Sequence, residues 1–432
     1  MTSTRDRPDA QITIGQAITR LMPDGVPFRF TAYDGSTAGP ADSPIHVHLR
    51  NERGLSYLLT APGDLGMARA YVSGDLDIDG VHPGDPYDAL VHHQKEWGFK
   101  MPSPAEAFQI VRGLGWSRLV PPAPPPQEAL PRWRRLLEGL RHSRGRDAGA
   151  IEHHYDVSNR FYELVLGPSM TYTCAVFPTE RATLEEAQFA KYDLVCRKLG
   201  LQPGMKLLDI GSGWGGMVRH AASHYGVEVV GVTLSRQQAA WAQEAIKREG
   251  VDDMAEVRFG DYRDVRDTGF DAVSSIGLTE HIGIRNYPSY FAFMRDKLVP
   301  GGRLLNHCIT RPDNSVTGTG AFIDRYVFPD GELTGSGRIV TEMQDLGLEV
   351  RHEENLREHY ALTLKAWCEN LVANWDVCVR ETDEGTAKVW GMYMAASRLS
   401  FERNEIQLHQ VLAVKPDPHG NARFPLRPTW LG

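Results

Sequence analysis

The chain is poor in cysteine. Its five, Cys174, Cys196, Cys308, Cys368 and Cys378, are odd in number and form no CxxC pair, so neither a disulfide framework nor a structural zinc site is indicated, and no metal is expected. Long apolar runs are missing as well. No segment approaches the roughly 20 apolar residues that cross a bilayer, and MTSTRDRPDAQITIGQ at the amino terminus has no apolar run of signal-peptide length. The expectation is a soluble, cytoplasmic protein. Excess positive charge is absent: the net charge of −8 argues against a nucleic-acid partner held by bulk positive charge. There is no internal repeat, and no low-complexity tract apart from one run of prolines. What remains is 432 residues of ordinary globular composition, enough for two domains and a large buried core.

Three regions separate by pattern. Residues 1–119 read as a small mixed α/β domain, in which IHVHLRN and LSYLLTA, split by ERG, suggest a hairpin, followed by the helical stretch LGMARAYVSGDLDIDG. Residues 120–150 begin with VPPAPPPQ. Its prolines lack amide donors and favour extended geometry, so this is a linker. Residues 151–432 then alternate continuous apolar strands (MKLLDIG, VEVVGVTL, FDAVSSIG, RLLNHCIT) with amphipathic helices. That alternation predicts a mostly parallel sheet covered on both faces by helices.

The stretch LLDIGSGWGGMVRHAA places Gly211, Gly213 and Gly215 where the first of these strands stops and a helix starts. Bare backbone lets the chain turn sharply and approach a ligand, with helix-start amides pointing into the site. Gly211, Gly213 and Gly216 also satisfy GxGxxG, a dinucleotide signature. That reading wants an acidic residue at the end of the second strand for a ribose hydroxyl. VEVVGVTLSRQQ ends instead in Thr233 and Ser235, and S-adenosylmethionine fits the context better. In FGDYRD, Asp261 and Tyr262 stand at a strand end, placed to meet an adenine ring. Asp261 reads equally well as a helix cap.

Seven ordered motifs, HHYDVSNRFYELVLGPSMTYTCAVF, LLDIGSGWGG, GVTLSRQQ, GDYRD, SIGLTEHIG, LLNHCIT and HYALTLKAW, resemble those of the cyclopropane-fatty-acyl-phospholipid synthases and mycolic acid cyclopropane synthases. RFTAYDGSTAGP, TAPGDLGMARAYVSGDL, PPPQEALPRWRR and FERNEIQLHQVLAVK are most similar to actinobacterial members that form 10-methylene stearoyl chains, precursors of tuberculostearic acid. The resemblance implies a class I, Rossmann-like methyltransferase fold with a smaller mixed N-terminal domain. It implies S-adenosylmethionine bound at Tyr172, Thr173, Gly211, Gly213, Thr233, Leu234, Gln238, Asp261 and Tyr262. It also implies a bicarbonate or carbonate ion held at Cys174, Glu280, His307, Ile309 and Tyr360. A homodimer, and a separate reductase for a methylene product, are further implications.

The implied chemistry is methylation of an isolated double bond in an unsaturated phospholipid chain, giving either a methylene branch or a cyclopropane ring; a lipid-binding relative without catalysis is the other reading. An alkene is a weak nucleophile, so positioning and exclusion of water must do much of the work. The resulting carbocation needs aromatic faces, for which Tyr172, Phe177, Tyr290, Phe322 and Tyr326 are candidates. It then needs a base, and a bound bicarbonate held by Glu280 and His307, with the Tyr360 hydroxyl and Ile309 amide as donors, suits that task. Each residue also has a plainer reading: aromatic core packing, a satisfied core histidine at His307, a helix cap at Glu280, a small buried hydrophobe at Cys174. Finally, LPRWRRLLEGLRHSRGR (130–146) sets Leu130, Trp133, Leu137 and Leu140 on one helical face among arginines. It suits either landing on an anionic phospholipid surface or packing on the catalytic domain.

Overall fold

The structure, a computed structural model, describes residues 12–22, 24–95, 103–128, 157–329, 331–428 and 430. The basic segment 130–146 lies outside the described residues. The chain divides into two compact units, one of Met1–Ala129 with Leu371–Leu399 and one of Leu130–Asn370 with Ser400–Gly432.

In the first unit, strands β1 (Arg29–Ala32), β2 (Thr37–Ala38), β3 (His46–Leu49) and β4 (Leu76–Asp79) form a sheet in the order β2-β1-β3-β4. Only the β1–β3 pair is parallel. Helices Ile14–Leu21, Glu52–Thr60, Asp64–Val72, Tyr87–Lys95 and Pro104–Leu114 accompany it. The expected hairpin at ERG is a strand followed by a helix. Asn51 caps that helix, its side chain accepting from the Gly54 amide at 3.0 Å, and an N-cap there outweighs the strand propensity of the residues that follow. Leu55 and Tyr57 bury against Phe30, Val47 and Leu76. The proline segment forms neither helix nor strand from Val120 to Glu128. It ends in a buried bidentate ion pair, with Arg69 donating to both Glu128 oxygens at 2.6 and 2.7 Å.

Leu371–Leu399, which the sequence pattern groups with 151–432, counts with the first unit because of contacts remote in sequence. Lys388 lies over the Tyr71 ring at 5.3 Å and Arg398 over Tyr87 at 3.6 Å. Gly391, in helix Glu384–Glu402, lets that helix touch the Pro83–Gly84 backbone: a Cβ would stand 2.2 Å from the Pro83 carbonyl oxygen. Gly391→Ala is expected to destabilise the protein by about 1–3 kcal/mol through overpacking, read as a lower midpoint in urea. An unchanged midpoint would show that this contact is absent in solution.

The second unit is built on a seven-stranded sheet. The strands are β5 (Lys206–Ile210), β6 (Glu228–Thr233), β7 (Ala255–Phe259), β8 (Phe270–Ile276), β9 (Leu298–Thr310), β12 (Glu349–Asn355) and β13 (Gln407–Val414); a two-stranded ribbon pairs β10 (Thr317–Gly318) with β11 (Glu332–Leu333). In the order β12-β13-β9-β8-β5-β6-β7, β13 alone runs opposite to the other six strands. Leu207 enters one core layer, with Val218, Ala242 and Leu305. Leu208 and Ile210 enter the other, with Phe291, Leu304 and Val411. Burial on both faces explains the unbroken apolar runs. The sheet order reverses beside β5, and at such a switch point open α/β sheets bind ligands beyond the strand carboxyl ends.

Candidate active site

At the carboxyl end of β5 the chain turns through Gly211 (φ +80°), Gly213 (φ +53°) and Gly215 (φ +75°) before helix Gly216–Tyr225. These are left-handed conformations that glycine adopts without a Cβ penalty. Gly211 packs its bare backbone on Leu278, where a Cβ would come within 3.1 Å of the side chain, whereas a Cβ on Gly213 would meet nothing within 4 Å. Beside this turn Ser212 Oγ and Gln238 Nε2 are buried without a hydrogen-bond partner. Thr233 Oγ1 donates to Gln238 Oε1 at 2.8 Å, which leaves that amide nitrogen facing away from Thr233. Leu234 is half-buried next to it. Unspent buried donors around a bare turn are what a polar cofactor with a close backbone approach requires, so the residues present fit S-adenosylmethionine.

Thr173 meets the same region from another direction, with Cγ2 only 2.7 Å from where a Cβ on Gly277 would stand. Two buried side chains of helix Leu184–Leu199 hold it: Gln188 Nε2 donates to its carbonyl at 2.9 Å and Lys191 Nζ donates to its hydroxyl at 3.0 Å. Burial pulls the Lys191 amine down to about 7, against the attraction of Cys174 and Asp209. The Tyr172 ring packs among Trp367 (5.4 Å), Tyr162 (6.1 Å) and Phe328 (6.4 Å). Tyr162 in turn lies 4.7 Å from Trp214 of the glycine turn.

Glu280 belongs to the short helix Thr279–Ile282, after β8. It does not cap that helix. Its Oε1 accepts the Ile309 amide of β9 at 2.7 Å, and its Oε2 is buried without a partner. Burial raises its carboxyl to about 7, only partly offset by the Ile309 N–H. His307 is fully buried in β9. Its Nδ1 faces Gln410 Nε2 at 3.1 Å and its Nε2 has no partner, so it is not a satisfied core histidine. Burial, then the charges of Lys191 and Lys198, press its protonation well below the usual range. The ring is therefore neutral at physiological pH.

A chain of direct contacts joins Glu280 to Cys174 and Tyr360. Ile309 is the cross-strand partner of Leu408. The Leu408 carbonyl accepts from the Leu356 amide at 2.8 Å, and the Leu356 carbonyl accepts the Tyr360 amide at 3.2 Å and faces the Cys174 thiol at 3.8 Å. Burial pushes the Cys174 thiol far above its ordinary range, so it is an inert thiol. Tyr360 is buried, its ring 4.6 Å from Phe401 and 6.1 Å from Trp367. The Ile309 amide, expected to face an ion, is engaged by Glu280 instead. What stands open is a carboxyl oxygen and an imidazole nitrogen, a pair that suits a small anion carrying its own proton.

Other expected residues land as follows. Asp261 caps the turn Tyr262–Asp264 and pairs with Arg263 at 2.6 Å. Tyr262 packs edge-on against Tyr290 (5.3 Å) and Phe293 (5.2 Å). Among the cation-stabilising candidates, Tyr290 is core, its hydroxyl 2.5 Å from Ser275 Oγ, Phe177 stacks on His359 at 6.5 Å, and Phe322 pairs with Tyr326 at 5.4 Å. Tyr172 alone among the five packs against Trp367. Sequence reasoning did not single out Trp367, Gln188, Lys191 or Gln410. Trp367 closes the HYALTLKAW motif, and it is fully buried with its indole nitrogen unpartnered. Lys191 and Lys198 fall seven residues apart in the stripe that holds Ala187, Val195 and Leu199, a position where a lysine has to be explained.

Residues 142–411 match the model of the mycolic acid cyclopropane synthetase family. The chain belongs to that family. It is an S-adenosylmethionine-dependent methyltransferase of the cyclopropane synthase type with the class I fold. A probable fatty acid methyltransferase of Mycobacterium tuberculosis is 63% identical over 94% of this chain and 95% of its own length. The tuberculostearic acid methyltransferase of the same organism is 29% identical, over 95% of this chain and 92% of that one. A solved mycolic acid cyclopropane synthase, in complex with SAH and CTAB, superposes with a TM-score of 0.58 at 32% identity, covering 62% of this chain and 97% of the other. The solved cyclopropane synthase thus covers 62% of this chain, whereas the two methyltransferases align along nearly all of it. Among the described residues no helix is long and apolar enough to cross a membrane, and no group of three or more His, Cys, Asp or Glu side chains is placed to hold a metal.

Proposed function

We propose that this methyltransferase C-methylates the cis double bond of oleoyl chains in phospholipids, giving a 10-methylene branch on the route to tuberculostearic acid. The observation that carries the reading is the pairing of two features at the carboxyl edge of one sheet: a bare glycine turn with unspent donors at Ser212 and Gln238, and a buried Glu280–His307 set with one open polar atom each. The names of the relatives aligned along nearly the whole chain support fatty acyl methylation. When bound, S-adenosylmethionine supplies an electrophilic methyl group and bicarbonate a compact base.

The chain's own residues do the rest. The glycine turn, Thr173, Thr233, Leu234 and Gln238 seat the cofactor, with Asp261 and Tyr262 at its adenine end. Tyr172 and Trp367 offer aromatic faces to the cation that methyl transfer leaves on the acyl chain, and keep water from it. Glu280 and the His307 imidazole hold the ion that takes the proton, beside Cys174, Ile309 and Tyr360. A hydride shift before proton loss gives the exocyclic methylene; direct loss of a methyl proton closes a cyclopropane ring, the outcome named for the solved relative. The two products are isomers, so proton NMR after incubation with cofactor and oleoyl phospholipid is the test. Vinylidene signals are expected, and cyclopropyl signals would replace the methylene reading by the ring-forming one. A phospholipid surface is the partner this substrate demands, and a saturated methyl branch would require a separate reductase.

A further inference from the structure

We infer that Gln410 is a positioning residue that fixes the proton of His307 on Nε2, making that atom a donor to the bound anion. The inference rests on the function proposed above and deepens it. It begins with strand register. On β12, β13 and β9, Glu354 is the Cα partner of Gln410, and Gln410 the partner of His307. Residues directly opposite in a ladder point to the same face, so the three side chains form one row across the sheet. Lys198 reaches the row from helix Leu184–Leu199, its amine bonded to a Glu354 carboxylate oxygen and, at 2.8 Å, to Gln410 Oε1.

Each donor and acceptor in this row then follows from its neighbour. An ammonium group has only donors, so Gln410 must turn its carbonyl oxygen to Lys198. Its NH2 group, which also only donates, is left facing His307 Nδ1 at 3.1 Å. Nδ1 must therefore accept, and in a neutral imidazole the proton then sits on Nε2. The charges of Lys191 and Lys198 oppose a second proton on the ring. Lys198, Gln410 and His307 are all fully buried, so water does not scramble the arrangement. An Nε2–H attracts an anion, whereas an Nε2 lone pair would repel it; the row across the sheet makes that choice.

The test is long-range proton–nitrogen correlation NMR on the full-length protein labelled with 15N-histidine, with His307→Gln used only to assign the signal. In the wild type, Nε2 is expected to show a protonated, pyrrole-like shift and Nδ1 a bare, pyridine-like one. Gln410→Glu places an acceptor opposite Nδ1 and should move the proton there, while Gln410→Met, which neither donates nor fixes the ring, should give a mixture of tautomers. Turnover in Gln410→Glu should fall about 10- to 100-fold, the range for residues that orient a metal-bound imidazole through its second nitrogen, with cofactor affinity unchanged. A proton on Nδ1 in the wild type, or a tautomer unmoved in both variants, overturns the inference. A wild type with Nε2 protonated that methylates no acyl chain contradicts the proposed function and supports the tautomer assignment.

Discussion

Glu280→Gln should abolish most turnover, by about 10²- to 10⁴-fold, while leaving the dissociation constant for S-adenosylmethionine within about twofold of wild type. The reason is geometric. Gln keeps an oxygen for the Ile309 amide, so the connection between the short helix and β9 survives. What it loses is the open carboxyl oxygen, which becomes either a fixed donor or a misdirected amide. The same variant should be more stable than wild type at alkaline pH. Burial raises the Glu280 carboxyl from an ordinary 4.5 to about 7, so the folded state binds this proton more tightly than the unfolded state does. Below pH 4.5 both states are protonated and the group is neutral to stability. Between 4.5 and 7 the wild type loses stability as pH rises, and above 7 the full cost remains, roughly 3 kcal/mol by linkage. Gln, which cannot ionise, escapes that cost. Unfolding in urea at alkaline and acidic pH checks it: a stability gain in Glu280→Gln confined to the alkaline side is expected, and near-normal turnover would remove Glu280 from the ion site.

Cofactor affinity should depend as sharply on Gly211. An alanine there forces an L-residue to φ +80° and brings its Cβ within 3.1 Å of Leu278, which carries the chain toward Glu280. About 1–3 kcal/mol of stability should be lost through backbone strain and crowding, and the dissociation constant for S-adenosylmethionine should rise about 10- to 100-fold, or roughly 1.4–2.8 kcal/mol. Gly204 provides the control. It too has a positive φ (+82°), and nothing lies within 4 Å of its Cβ position; it sits in the turn before β5 rather than after it. Gly204→Ala should cost comparable backbone strain and leave cofactor affinity intact. Calorimetric titration of both variants decides the matter, and equal affinities would show that the turn after β5 does not hold the cofactor.

Much of this was legible in the sequence because it is periodic or glycine-marked. The parallel sheet shows in runs such as VEVVGVTL, which bury on both faces, and the turn after β5 shows because glycines at 211, 213 and 215 directly follow an apolar run. The helix at Glu52–Thr60 was hidden by its composition: LSYLLTA suits a strand, and only the cap at Asn51 decides otherwise. Contacts distant in sequence were harder to see. Nothing local says that Leu371–Leu399 counts with the first unit, or that Gln410 stands opposite His307, since the first depends on a glycine touching Pro83 and the second on strand register. Lys191 and Lys198 did leave a signal, two cations in an apolar stripe, and each bonds a residue that touches the site: Thr173 and Gln410 respectively.

The most direct test of the whole account is transfer of isotope. Purified full-length protein, S-adenosylmethionine labelled with 13C in its methyl group, bicarbonate and vesicles of oleoyl phospholipid should yield an acyl chain whose new carbon carries the label and appears in the vinylidene region of the carbon spectrum. Binding of the labelled cofactor with no label entering the acyl chain would contradict the account.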